Sequence, residues 1–182
     1  NQDMQDMYTP AFEAGVTEGK ASCVMCSYNA ETFGEGLFGN GTAEQEGAIP
    51  SCANHGILNG LIRDQWGFNG YVTSDCGAVD GVENSHEYTD DAVDTIKAVL
   101  YAGVDTDCGS YMSSETLLPL LESGAVEIER INTALTNLFT TQFRLGFFDA
   151  PNVNIYGQID ESVVNTPSNQ VSKLFWLGTV AP

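Results

Sequence analysis

Three short apolar runs change to polar residues at the same end: "ASCVMCSYN" (21–29), "YVTSD" (71–75) and "GVDTDCG" (103–109). Segments with helical spacing of apolar residues separate them, and that alternation reads as a parallel α/β arrangement. Before the first run, "PAFEAGVTEG" (10–19) is expected to form a helix ending at Gly19, with Phe12, Val16 and Ala11 facing inward. Between the first two runs, Ile57, Leu58, Leu61, Ile62 and Trp66 recur at helical spacing. "DDAVDTIKAVLYAG" places Val93, Ile96, Val99 and Leu100 on one face. It opens on acids and stops at Gly103, an order that suits the helix dipole and a C-terminal cap. A short helix is expected near 114–122, and a longer one from about 126 to 144 carrying Ile128, Ile131, Leu135, Leu138, Phe139 and Phe143. No G-x-G-x-x-G or P-loop follows any strand, which removes the main support for nucleotide binding.

The 182 residues suffice for one ordinary domain with a core. Acids outnumber bases 25 to 6, giving a net charge of −19. Such a surface repels phosphate backbones and anionic lipid, so neither nucleic acid nor membrane is an expected partner. The start at Asn1, with no signal-peptide pattern, reads as a processed start or a fragment. Five cysteines, an odd number, leave at least one outside any internal pairing. Cys23 and Cys26 form C-x-x-C, but on a strand they point to opposite faces, and the histidines lie far off in sequence. Both are therefore read as small buried residues rather than metal or redox groups. Residues 31–49 are rich in Gly and Glu and read as a surface loop, with a glycosylation acceptor at Asn40 that favours secretion.

In parallel α/β folds, ligands bind beyond the carboxyl ends of the strands. That rule selects Ser27–Tyr28–Asn29, Ser74–Asp75–Cys76 and Asp105–Asp107–Cys108. Asp75 reads equally as a reactive carboxylate or as a cap. Of Asp105 and Asp107, one is expected to be structural. "DTDCGSYMSSE" has its glycine and closing glutamate misplaced for a calcium loop. Cys76 and Ser74 lack a convincing base, and so acidic a setting disfavours a thiolate. Carboxylate chemistry remains, and two carboxyl groups flanking a glycosidic bond are the usual machinery for cleaving sugars. Tyr28 and Asn29 are of the type that would bind sugar hydroxyls.

"VMCSYN" (24–29), "PSCAN" (50–54), "LIRDQWGFNGYVTSDCGAV" (61–79), "AGVDTDCG" (102–109) and "RLGFFD" (144–149) follow one another as in glycoside hydrolase family 3. The "SDCGAV" form resembles the β-xylosidase branch. The resemblance implies that residues 1–150 are the C-terminal portion of a (β/α)8 TIM-type barrel with three recognisable parallel strands, and that 151–182 are the start of a linker and a divergent tail. It implies Asp75 as the nucleophile of a retaining hydrolase that removes β-linked xylose from xylo-oligosaccharides through a covalent glycosyl-enzyme. Met25 and Tyr28 would line the sugar subsite, with Cys76 replacing the Trp of the β-glucosidases in its wall. No cofactor or metal is implied. The earlier barrel strands and the second domain that supplies the acid/base glutamate have no counterpart here, so this chain alone is expected to be nearly inert. β-Glucosidase or α-arabinofuranosidase activity, and a non-catalytic carbohydrate-binding remnant, are the alternatives.

Overall fold

The computed structural model describes residues 2–32, 47–150 and 152–170. The expected loop tip with Asn40, and the tail after Gln170, lie outside the described residues. The chain divides into two compact units, Asn1–Thr141 and Gln142–Pro182.

The first unit is built on a parallel pair, β1 (Cys23–Cys26) and β4 (Tyr71–Ser74), in register Cys23 with Tyr71 through Cys26 with Ser74. Their approach requires glycine at 70. A Cβ there would lie 2.1 Å from the Ser22 carbonyl oxygen, which accepts the Tyr71 N–H at 3.2 Å. The two short strands β2 (Ala30–Glu31) and β3 (Ile49–Pro50) pair antiparallel, so both ends of the expected 31–49 loop are strand residues.

The third expected strand is corrected to a single parallel bridge, Thr73 to Thr106. The physical reason lies in Asp105. Its carboxylate, rather than a backbone carbonyl, takes the Val72 N–H at 2.9 Å, which ends a regular ladder there. Asp105 is buried and also accepts from Arg63 at 2.6 Å, Arg130 at 3.2 Å and Asn137 at 3.1 Å. A buried carboxylate needs such partners to offset its desolvation.

Helix α1 (Thr9–Thr17) follows a π-helical turn over Met4–Tyr8, and it buries Val16. Phe12 and Ala11, expected inward, are exposed. The helix between β3 and β4, Gly56–Gln65, buries Leu58, Leu61 and Ile62 as its spacing implied, but it is wound as a π-helix. Helix α2 (Ala78–Asn84), which the spacing did not reveal, buries Val79 and Val82. In α3 (Ala92–Ala102) the Asp91 carboxylate caps the Asp94 N–H, and Gly103 at φ 113° closes the C-terminus. Ile96, Val99 and Leu100 are buried as expected, whereas Val93 is exposed. Helix α4 (Ser114–Glu122) begins with a Ser113–Thr116 capping box.

The core joins Val72 to Leu58, Val79, Val82, Val99 and Val104, with a second cluster of Ile96, Leu100, Leu120 and Val126. Helix α5 (Ile128–Arg144) buries only Ala134 and Thr141. Of the apolar residues it carries, Ile128, Leu135, Phe139 and Phe143 are exposed, while Ile131 packs against the second cluster. Within the second unit, 3-10 turns at Ile155–Gln158 and Glu161–Val163 bury no residue.

Disulfides join Cys26 to Cys52 and Cys76 to Cys108, leaving Cys23 free and exposed. The expectation of two small buried residues in the C-x-x-C holds for Cys26, which is disulfide-bonded in the core, and is corrected for Cys23, which is exposed. The strand does point the two side chains oppositely, sending Cys23 to solvent and Cys26 to a partner in the core.

Candidate active site

Strand β4 ends by handing the chain to a tight turn, and Asp75 sits in that turn. Its N–H donates to the Cys26 carbonyl at 2.9 Å, which extends the parallel pairing one residue beyond the strand. Its carbonyl accepts the Ala78 N–H at 3.0 Å, and Gly77, at φ 84°, makes the left-handed step into α2. The half-buried side chain is thus held at the C-terminal edge of the sheet, with Oδ1 accepting the Cys76 N–H at 2.7 Å.

The supports of this turn come from the neighbouring segment. Ser74 is buried, and its hydroxyl donates to Asp107 Oδ1 at 3.1 Å while accepting the Cys108 N–H at 2.9 Å. Asp107 Oδ2 accepts the N–H groups of Tyr111 and Met112 at 3.0 and 3.1 Å. Gly77 N–H donates to the Cys108 carbonyl at 2.8 Å, and the Cys76–Cys108 disulfide closes the same junction covalently. Both Asp105 and Asp107 are therefore committed to structure, where one had been expected to be.

Tyr28 reaches the site from beyond β1. Its phenol donates to the Cys76 carbonyl at 2.7 Å, with the Asp75 carboxylate beside it. Local desolvation, and then the charge and hydrogen bonding of Asp75, raise the Tyr28 pKa and keep the phenol a neutral donor. His86, past α2, holds the Tyr28 backbone through Nε2–H donating to its carbonyl at 2.8 Å. Sequence reasoning passed over His86 as remote; only the path of α2 brings it 58 residues back. Of the expected site residues, Tyr28 and Cys76 thus meet Asp75. Met25 is exposed and lines an apolar groove of about 430 Å³ with Phe12, Val16 and Trp66. Asn29 lies in the exposed segment after β1, where its carbonyl accepts the Ser51 N–H at 2.8 Å.

A second acid stands out nearby in sequence. Burial pushes the Glu31 carboxyl up to about 7, and its Oε2 is buried without a hydrogen-bond partner among the described residues. No cluster of three His, Cys, Asp or Glu side chains able to hold a metal ion occurs among the described residues.

This arrangement presents a carboxylate at a sheet edge, with one amide on it and a neutral phenol beside it. It is suited to nucleophilic or electrostatic work on a neutral, hydroxyl-rich substrate. The chain matches the family model "Glycosyl hydrolase family 3 N terminal domain" over residues 1–141. It is 42% identical over 159 residues to "Probable beta-D-xylosidase 6" of Arabidopsis thaliana, covering 87% of this chain and 18% of the relative. It is 36% identical over 170 residues to "Beta-xylosidase/alpha-L-arabinofuranosidase 1" of Medicago sativa subsp. varia, covering 93% and 20%. A solved GH3 exo-beta-xylosidase, XlnD, in complex with a xylobiose aziridine activity-based probe superposes with a TM-score of 0.72 at 32% identity, over 87% of this chain and 19% of that one. A β-glucosidase from Listeria innocua, at 20% identity and TM-score 0.71 over 92% and 21%, shares the fold. The chain spans about a fifth of the length of these relatives. Its parallel strands, and the helices between them, are a portion of a TIM-barrel-like α/β domain. The chain belongs to glycosyl hydrolase family 3, as part of that family's N-terminal domain.

Proposed function

We propose that this chain carries the nucleophile of a retaining exo-β-xylosidase, and that Asp75 is that nucleophile. The observation that carries the reading is the placement of Asp75 at the C-terminal edge of β4, with Tyr28 and Cys76 around it. The β-xylosidase names of the relatives support it. Asp75 would attack the anomeric carbon of a terminal β-xylosyl unit and form an ester, which water then hydrolyses with net retention. Its Oδ1 is oriented by the Cys76 N–H, and Tyr28 is a neutral donor at the rim. Met25, Tyr28 and Cys76 would line the sugar subsite. The disulfide of Cys76 in place of an indole suits a pentose, which has no hydroxymethyl arm to accommodate. The general acid/base would come from a second domain of a longer protein, and that protein would be secreted. The names of two relatives give specific support to α-L-arabinofuranosidase activity as the second reading.

The reading is tested with 2,4-dinitrophenyl 2-deoxy-2-fluoroglycosides, whose leaving group departs without a general acid. The β-xyloside is expected to add one fluoroxylosyl group per chain, faster than the β-glucoside adds its sugar. The Asp75→Ala variant is expected to add none. Labelling that Asp75→Ala leaves intact contradicts the assignment, and faster labelling by the glucoside contradicts the sugar.

A further inference from the structure

The two disulfides occupy opposite environments. Cys26 and Cys52 are each 1% exposed and sit in the hydrophobic core. Cys76 is exposed and Cys108 half-buried, on the turn that carries Asp75. A cavity of about 450 Å³, bounded by Gly77, Asp80, Asp107, Gly109 and Tyr111, opens beside the residues flanking both half-cystines. Thiol–disulfide exchange needs in-line access of a thiolate to a sulfur, so exposure selects between the two bonds. We propose that Cys76–Cys108 is a thiol-exchange site that takes small uncharged or cationic thiols and releases the Asp75 turn when it opens.

The chemistry balances within a dithiol. Its thiolate attacks Cys76 Sγ, forming a mixed disulfide and expelling Cys108 as a thiolate. The second thiol then attacks the mixed disulfide and expels Cys76. Two electrons and two protons pass from the dithiol, which leaves as its own disulfide. Asp75, Asp107 and Asp80 lie in and around this junction, in a chain of net charge −19, and they repel an anionic thiol. Once the bond is open, no cross-link holds residue 76: its carbonyl keeps the Tyr28 hydroxyl, and the ties to the neighbouring segment are hydrogen bonds of Ser74 with Asp107 and Cys108 before it and of the Gly77 N–H with the Cys108 carbonyl after it. The consequence for catalysis rests on Asp75 being the nucleophile; the exchange site itself does not.

The test uses the full chain carrying Cys23→Ser, which removes the exposed thiol that would scramble the bonds. Native protein is treated with dithiothreitol, alkylated with N-ethylmaleimide and mapped by mass spectrometry. Two alkylated cysteines are expected, Cys76 and Cys108, rising to four only in denaturant. Reduction of Cys26–Cys52 at an equal or faster rate, or no reduction short of unfolding, overturns the site. Mixed-disulfide formation is expected at least threefold faster with 2-mercaptoethylamine than with 3-mercaptopropionate at low salt, after correction for thiolate fraction. Equal rates overturn the charge selection. Hydrogen exchange of the 74–79 amides is expected to accelerate at least tenfold on reduction, and to match the Cys76→Ser/Cys108→Ser variant. Unchanged protection overturns the release of the turn. None of these readouts requires glycosidase activity, so failure of the catalytic reading is seen separately, by fluoroxyloside labelling.

Discussion

Asp75, Asp105 and Glu31 are three acids with three fates, and each fate follows from neighbours rather than from residue type. Asp75 keeps a half-buried carboxylate with one amide on it, while Asp105 is enclosed by two arginines, an asparagine and a backbone amide. Removing the centre of that cluster leaves two poorly solvated cations. Asp105→Ala is therefore expected to cost about 3–5 kcal/mol, read as a lowered urea midpoint. Glu31 is the inverse case, a raised carboxyl with one oxygen unpartnered among the described residues. Its folded-state pKa of about 7 lies above its ordinary value of 4.5, so the folded state binds the proton more tightly. The stability this gives is fully present below pH 4.5 and is lost as pH rises to about 7. Glu31→Gln is expected to remove that loss, gaining about 1–2 kcal/mol at pH 8 and nothing at pH 4. Equal effects at both pH values would contradict a buried, protonated Glu31. The sequence marked Asp75 and the acids at 105 and 107 as candidates because they end strand-like runs. It could not assign Arg63 and Arg130 to Asp105, since those partners stand 42 and 25 residues away.

Elements were legible where a local rule decides them. The Asp91 cap and the Gly103 stop fixed α3, and the apolar face of Gly56–Gln65 was readable from Leu58, Leu61 and Ile62. Its π winding was not, because apolar spacing is nearly the same at that length. The short α2 carries too few apolar positions to show a period, and it starts from a positive-φ glycine that a sequence reads only as a turn. The third strand shrinks to one bridge because the Asp105 side chain takes the Val72 N–H, although the Val72 carbonyl still accepts the backbone N–H groups of Asp105 and Thr106. Two element-scale tests follow from close packing and cross-linking. Gly70→Ala drives a methyl into the Ser22 carbonyl and is expected to cost about 1–3 kcal/mol or more in thermal unfolding. Cys26→Ser/Cys52→Ser opens a link across 26 residues and is expected to cost about 3–4 kcal/mol. An unfolding midpoint unchanged by either substitution would contradict the packing described.

At the scale of the whole molecule, family membership was readable because five blocks keep their order, and the match over residues 1–141 agrees. What escaped the sequence was how much apolar surface the chain leaves open, since Ile128, Leu135 and Phe139 on α5 look like core residues in any periodic reading. The chain spans about a fifth of its relatives, and the proposed acid/base lies outside it. Loss of that role alone typically costs about 10²–10⁴-fold. Hydrolysis of 4-nitrophenyl β-xyloside by this chain is therefore expected to stay at background, and Asp75-dependent turnover would contradict the assignment of the acid to another domain. The proposed catalysis rests on Asp75 being the nucleophile. It is tested most directly by peptide mapping of the chain after reaction with the activated 2-fluoroxyloside. A single ester is expected on Asp75, within the 71–79 peptide. An ester on Glu31, on Asp107 or on any other side chain would contradict it.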